Sequence, residues 1–152
     1  MYRKILVAYD GSEFSRTALN HAVSLAVKCN ADLNIISVVP KITMPVFPDG
    51  GPAPMAVPRK TDIQNTIREM YTKGLMDAEQ GVKARYPDLN VSSKLLEGKP
   101  SSTIVEEAEK DGADLIVIGN RGLGGITGWI LGSTSRRVVE SCKKPVLVVK
   151  NL

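Results

Sequence analysis

The stretch Asp114-Leu-Ile-Val-Ile-Gly-Asn-Arg-Gly-Leu-Gly-Gly-Ile-Thr-Gly-Trp-Ile-Leu-Gly-Ser-Thr-Ser135 decides how this chain folds. Its first part, Asp114 to Gly119, is a continuous apolar run closed by glycine, the pattern of a strand buried on both faces. Six glycines then fall between Gly119 and Gly132, and Ser133, Thr134 and Ser135 open a helix that ends around Cys142. A strand feeding a glycine-rich turn and then a helix is an α/β unit. The rest of the chain repeats it.

Toward the amino end, Lys4-Ile-Leu-Val-Ala-Tyr9 reads as a strand that stops at Asp10-Gly11-Ser12. Ser12 is placed to cap a helix, since its hydroxyl can accept from an N–H two or three residues on. Ala18, Ala22, Val23 and Ala26 recur at helical spacing through about Lys28. Asp32 to Val39 is a second strand. A helix is expected from about Thr61 to Arg85, with Ile63, Ile67, Met70, Tyr71, Ala78 and Val82 on one stripe. Gly74 and Gly81 weaken it by roughly 1 kcal/mol each relative to alanine. Val91 to Leu96 forms a third strand. Gly98-Lys99-Pro100 then leads into a helix through Ile104, Val105 and Ala108, with Pro100 suited to its first turn. Pro145-Val-Leu-Val-Val-Lys150 closes the chain as a fifth strand.

Four strand-helix units and a final strand imply an α/β, doubly wound, five-stranded parallel sheet with helices on both faces. Right-handed crossovers make 3-2-1-4-5 the most economical order. The 152 residues are the size of one domain, spanning residues 1–152. One segment departs from the alternation. Six of the nine prolines, with Gly50-Gly51, lie between Pro40 and Pro58. That makes residues 40–60 a long proline-rich loop rather than helix or central strand.

Composition removes whole classes of function. The chain is 43% hydrophobic and 24% charged, ordinary for a water-soluble globular protein. No apolar run is long enough to span a membrane, and the first residues lack a signal-peptide pattern, so the expected location is the cytoplasm. Cys29 and Cys142 are too few for a disulfide scaffold and lack metal-ligand spacing. The single histidine, His21, falls inside the first helix, which leaves little material for a triad or a zinc site. The net charge of +4 is carried by scattered residues without interleaved aromatics. That argues against nucleic acid as a partner.

In the order 3-2-1-4-5 the chain reverses direction between strands 1 and 4, and open α/β sheets bind ligands outside the carboxyl ends of strands at such a point. Asp10 ends strand 1 and the glycine-rich loop starts at the end of strand 4. Glycines let a backbone approach a bulky anion, and the helix start at Ser133, Thr134 and Ser135 offers N–H groups, hydroxyls and a favourable dipole. The expectation is a phosphate site. It is not a Walker A loop, because Gly98-Lys99 is followed by proline, and Asp10-Gly-Ser-Glu-Phe14 lacks the dinucleotide glycines.

Over essentially its whole length the chain resembles the universal stress protein family. The spacing Gly119-x2-Gly122-x9-Gly132-Ser133 is similar to the nucleotide-binding motif of its ATP-binding members. The opening Ile5-Leu-Val-Ala-Tyr-Asp10-Gly-Ser12 and the closing Lys144-Pro-Val-Leu-Val-Val149 are similar to that family as well. The resemblance implies a pocket for ATP, ADP or AMP. In it Ala8, Tyr9 and Asp10 would flank the nucleoside, with Asp10 near the ribose or holding Mg²⁺. Val38 would meet adenine through its backbone. Gly119, Asn120, Arg121, Gly122, Leu123, Gly124 and Gly125, with Gly132, Ser133, Thr134 and Ser135, would hold the phosphates. It also implies a homodimer through strand 145–150, whose apolar edge favours the same arrangement.

The expected function is therefore a cytoplasmic ATP-binding stress-response regulator, with no catalytic residue assigned. A slow ATPase or phosphotransferase and a nucleotide-free partner-binding module remain open. Plainer roles stand beside several residues. Asp10 can simply cap the first helix, Arg121 can pair with phosphate or point into water, and Trp129 can serve as a core contact. Arg136, Arg137, Lys143 and Lys144 suit a solvated helix face.

Overall fold

The computed structural model describes residues 1–43, 58–123 and 130–151. The elements are β1 (Lys4–Ala8), α1 (Glu13–Cys29), β2 (Asp32–Val39), α2 (Lys60–Arg85), β3 (Val91–Glu97), α3 (Pro100–Asp111), β4 (Leu115–Gly119), α4 (Ser133–Ser141) and β5 (Val146–Val149). The five strands form one parallel sheet in the order β3-β2-β1-β4-β5. Val7 sits between Ile35 of β2 and Val117 of β4, so β1 is the centre of the sheet.

Strand side chains alternate between the two faces, and each face has its own core. Ile5 and Val7 pack with Leu33, Ile35 and Val117 under α1 and α2. Leu6 packs with Ile36, Ile116 and Ile118 under α3 and α4. Ile5, Leu6 and Val7 are all fully buried, which explains why these strands read as unbroken apolar runs rather than alternating ones. On α1 half of the buried residues are alanine (Ala18, Ala22 and Ala26), and small side chains let the helix lie close to the sheet.

The caps follow the sequence. Ser12 Oγ accepts the Ser15 N–H at 3.2 Å and starts α1. Pro100 occupies the first turn of α3. On α2 the expected stripe holds at Ile63, Ile67, Tyr71, Ala78 and Val82, each buried or half-buried, and departs from expectation at Met70 and Leu75. Met70 is 68% exposed, whereas Leu75, absent from the predicted stripe, is 4% exposed. Positions 67, 71, 75, 78 and 82 make the row that faces the sheet, and Met70 lies one residue short of it. Pro40 to Thr43 and Pro58 to Arg59 form neither helix nor strand, and residues 44–57 of the proline-rich segment fall outside the described residues. Among the described residues no helix is long and apolar enough to cross a membrane.

Candidate ligand site at the switch point

From β1 the chain crosses to one face of the sheet, and from β4 to the other, so their carboxyl ends part and leave a gap. A cavity of about 410 Å³ occupies it. Ala8, Tyr9 and Asp10 form its rim at the end of β1. Ile36 and Val38 of β2, Ile118 of β4, and Pro100 and Ile104 of α3 give it an apolar wall. Residues Arg121 to Leu123 and Ile130 to Ser135 close the side facing α4.

Asp10 is a brace rather than a helix cap. Its Oδ1 accepts the Ser12 N–H at 2.9 Å, and its Oδ2 accepts the Leu123 N–H at 3.2 Å, tying the turn after β1 to the glycine-rich loop. The capping role falls to Ser12 alone. Gly122 is held against the same carboxylate: a Cβ on it would stand 2.6 Å from Asp10 Oδ2. Gly119 is tight for another reason, since its Cβ would meet the Phe14 carbonyl oxygen at 2.8 Å where α1 passes the end of β4. In both cases the close approach is to protein atoms.

The N-terminus of α4 faces the cavity. Its cap residue Gly132 makes no side-chain hydrogen bond, and the first turn carries no acidic residue. Free N–H groups at a helix start, undisturbed by a carboxylate, favour an anion. Ser133 and Thr134 line the cavity, their hydroxyls without a hydrogen-bond partner among the described residues. Ser135 also lines it, but is 2% exposed and donates its hydroxyl toward the carbonyls of Asn120 and Gly132 at 3.0 Å. Arg121 lies with its guanidinium carbon 5.9 Å from the Phe14 ring centroid, a cation–π distance, and its Nε reaches the Ile130 carbonyl at 3.4 Å.

Of the residues singled out in the sequence, the structure brings Ala8, Tyr9, Asp10, Val38, Gly119, Arg121, Gly122, Leu123, Gly132, Ser133, Thr134 and Ser135 to one cavity. Asn120 lies behind it. Its N–H bonds Val149 and its carbonyl accepts from Gly132, while its buried Oδ1 has no partner among the described residues. Gly124, Gly125 and Trp129 lie outside the described residues. His21 is exposed on α1, its Nδ1 2.9 Å from the Thr17 carbonyl oxygen, and both cysteines are free.

Eight of the described lining residues were not singled out as site residues: Tyr71, Ser15 and the apolar Ile36, Pro100, Ile104, Ile118, Ile130 and Leu131. Tyr71 of α2 is the polar one reached from that helix, and it lines the same cavity as Asp10. Its phenol pKa lies above the ordinary value of 10.0, first because of burial and then because of the Asp10 charge. Its place on an apolar helical stripe marks it only as a sheet-facing residue, so periodicity alone could not have found it.

Sheet order, crossovers and cavity define a doubly wound α/β protein with a pocket at its switch point, lined on one side by the N-terminus of α4. The chain belongs to the universal stress protein family, whose sequence profile matches residues 1–150. It is 35% identical to universal stress protein MJ0531 of Methanocaldococcus jannaschii, over 99% of this chain and 83% of that protein. Its fold is similar to that of universal stress protein UspA from Lactobacillus plantarum, with a TM-score of 0.80, 26% identity and 97% of each chain covered. A universal stress protein solved in complex with cAMP is 29% identical, with a TM-score of 0.66, covering 98% of this chain and 97% of that one.

Proposed function

We propose that the chain is a cytoplasmic adenine-nucleotide-binding regulator whose ligand lies in the switch-point cavity. The observation that carries this reading is the uncapped N-terminus of α4 opening onto the same cavity as the apolar wall of Ile36, Val38, Ile104 and Ile118. An apolar wall suits a base and free helix N–H groups suit phosphate. The cavity volume of about 410 Å³ falls within the range of roughly 300–1,000 Å³ common for small-molecule sites. The cAMP complex of a relative favours the same ligand class.

Ser133, Thr134 and the N–H groups of the first α4 turn would hold phosphate, with Arg121 at the edge. Mg²⁺, if it accompanies ATP, would rest on phosphate oxygens and at most one carboxylate, Asp10. Among the described residues no group of three or more His, Cys, Asp or Glu is placed to hold a metal by itself. Binding is favoured over turnover. Among its described lining residues the cavity carries one carboxylate and one guanidinium, without lysine or histidine. Rapid phosphoryl transfer calls for more positioned charge than that.

The assembly we propose is a homodimer through the outer edge of β5. The test of the ligand is direct. Native protein purified from cells is examined for bound nucleotide by mass spectrometry, then titrated calorimetrically with ATP, AMP and cAMP, with and without Mg²⁺. Saturable one-to-one binding is expected. No nucleotide in the purified protein and no heat of binding for any of the three would overturn the reading in favour of a nucleotide-free partner-binding module.

A further inference from the structure

Tyr71 and Asp10 line the same cavity as the apolar wall and the α4 N-terminus, Asp10 where β1 ends between β2 and β4 and where it holds the Leu123 N–H of the loop that leads to α4. Tyr71 is half-buried, yet its hydroxyl has no hydrogen-bond partner among the described residues. Asp10 is the complement. Each of its carboxylate oxygens accepts one backbone N–H, from Ser12 and from Leu123, and keeps a lone pair. A phenol donor and an acceptor with spare capacity therefore share one cavity, near enough for the Asp10 charge to act on the phenol. The negative charge of Asp10 disfavours phosphate at this point, while a neutral hydroxyl can donate to the carboxylate and accept from the phenol. In a ligand whose base meets the apolar wall and whose phosphate meets α4, the group between them is the sugar.

We infer that Tyr71 is a specificity-determining residue that, with Asp10, reads a ribose hydroxyl and so selects ribonucleotides over deoxyribonucleotides. The inference rests on the adenine-nucleotide reading of the same cavity. A site built to hydrogen-bond a hydroxyl rejects the analogue that lacks it, because its own donor and acceptor are then left without partners. In a half-buried setting the discrimination should be about tenfold, the equivalent of one well-made hydrogen bond. Burial and the Asp10 charge both hold the phenol in its neutral form, the form that donates.

The experiment titrates AMP, 2′-deoxy-AMP and 3′-deoxy-AMP into the wild-type protein and into Tyr71→Phe. That variant keeps the ring and removes only the hydroxyl, and thermal melting checks that it folds. The wild type should bind AMP about tenfold more tightly than at least one deoxy analogue. Tyr71→Phe should bring that ratio below about twofold by weakening AMP alone. Equal affinity of the wild type for all three, or an unchanged ratio in Tyr71→Phe, would overturn the inference and leave the nucleotide reading standing. A Tyr71→Ala variant separates the remaining alternative. If it weakens all three ligands equally while Tyr71→Phe changes nothing, Tyr71 is only a wall of the cavity and the inference fails. Absence of binding for all three to the wild type would remove the nucleotide reading and the inference together.

Discussion

Gly119, the last residue of β4, and Gly122 are three residues apart, yet they are tight against different things, and the difference is measurable. A Cβ at Gly119 meets backbone, with the Phe14 carbonyl oxygen at 2.8 Å and its carbon at 2.9 Å, and neither can rotate away. Gly119→Ala should therefore cost about 1–3 kcal/mol of stability, the scale of overpacking in a rigid setting. A Cβ at Gly122 meets the end of the Asp10 side chain, which can swing aside at the expense of its bond to the Leu123 N–H. Gly122→Ala should cost about 1 kcal/mol, the worth of that bond, and disturb ligand affinity more than stability. Urea melts of both variants decide this, and a larger stability loss at Gly122 would refute the contact analysis. The phenol of Tyr71 gives a second test at this scale. Its folded pKa is raised, so this contribution to stability is present below 10.0 and is lost as pH rises through the folded value. In Asp10→Asn the folded pKa should fall toward 10.0 without reaching it, because burial is the larger cause. A ¹³Cζ-tyrosine NMR titration reads this. An unmoved Tyr71 resonance in the variant would mean that the carboxylate and the phenol are not electrically coupled.

Among the elements, α2 shows most clearly what a sequence pattern can and cannot carry. Apolar residues at helical spacing marked it as a helix, and α2 spans Lys60 to Arg85. The pattern placed Ile67, Tyr71, Ala78 and Val82 on the row that faces the sheet, but took in Met70 and left out Leu75. Met70 and Leu75 differ little in hydrophobicity, and only the packing of the helix on β2 and β3 exposes one and buries the other. Tyr71 was legible as a helix-face residue and not as a cavity residue, because what lies opposite a face is set by tertiary packing. The strands were easier. The runs Lys4–Ala8 and Leu115–Gly119 are buried on both faces, and that leaves a continuous apolar signal. Asp10 and the α4 start were legible because chain order places them at the switch point. The brace from Asp10 to Leu123 was not, since a loop hydrogen bond leaves no periodicity. On α2 itself, Gly74 and Gly81 have ordinary negative-φ helical geometry, and a Cβ on either would meet nothing within 4 Å. Gly81→Ala should stabilise the protein by about 0.5–1 kcal/mol, raising Tm by roughly 1–4 °C at this chain length. A lowered Tm would show that this part of α2 is packed against something the exposed position does not reveal.

For the whole molecule the two sheet edges are unequal, and the inequality points to the proposed dimer. The β3 edge carries Ser92, Lys94 and Glu97 exposed, polar groups that discourage strand addition. The β5 edge carries Val146, Leu147 and Val148, each half-buried, with no charge before Lys150. Hydrogen bonding tells which backbone groups of β5 are free for a partner. The carbonyls of Pro145 and Val149 accept from Ile116 and Asn120 of the β4 side. Groups alternate in direction along a strand, so Leu147 and Val149 donate toward β4 while the N–H groups of Val146 and Val148 point outward. Two-fold pairing of this edge with its copy would use those outward groups in an antiparallel ladder. Val148→Pro removes one outward donor and leaves the β4 ladder whole, so the variant should fold, melt within a few degrees of wild type, and be monomeric. Leu147→Pro is the control. It removes a donor to β4 and should destabilise the chain whether or not a dimer forms. Light scattering on the wild type should give about twice the chain mass of 16.4 kDa. A wild-type mass of one chain at micromolar concentration, or an undiminished dimer in Val148→Pro, would rule out assembly through this edge.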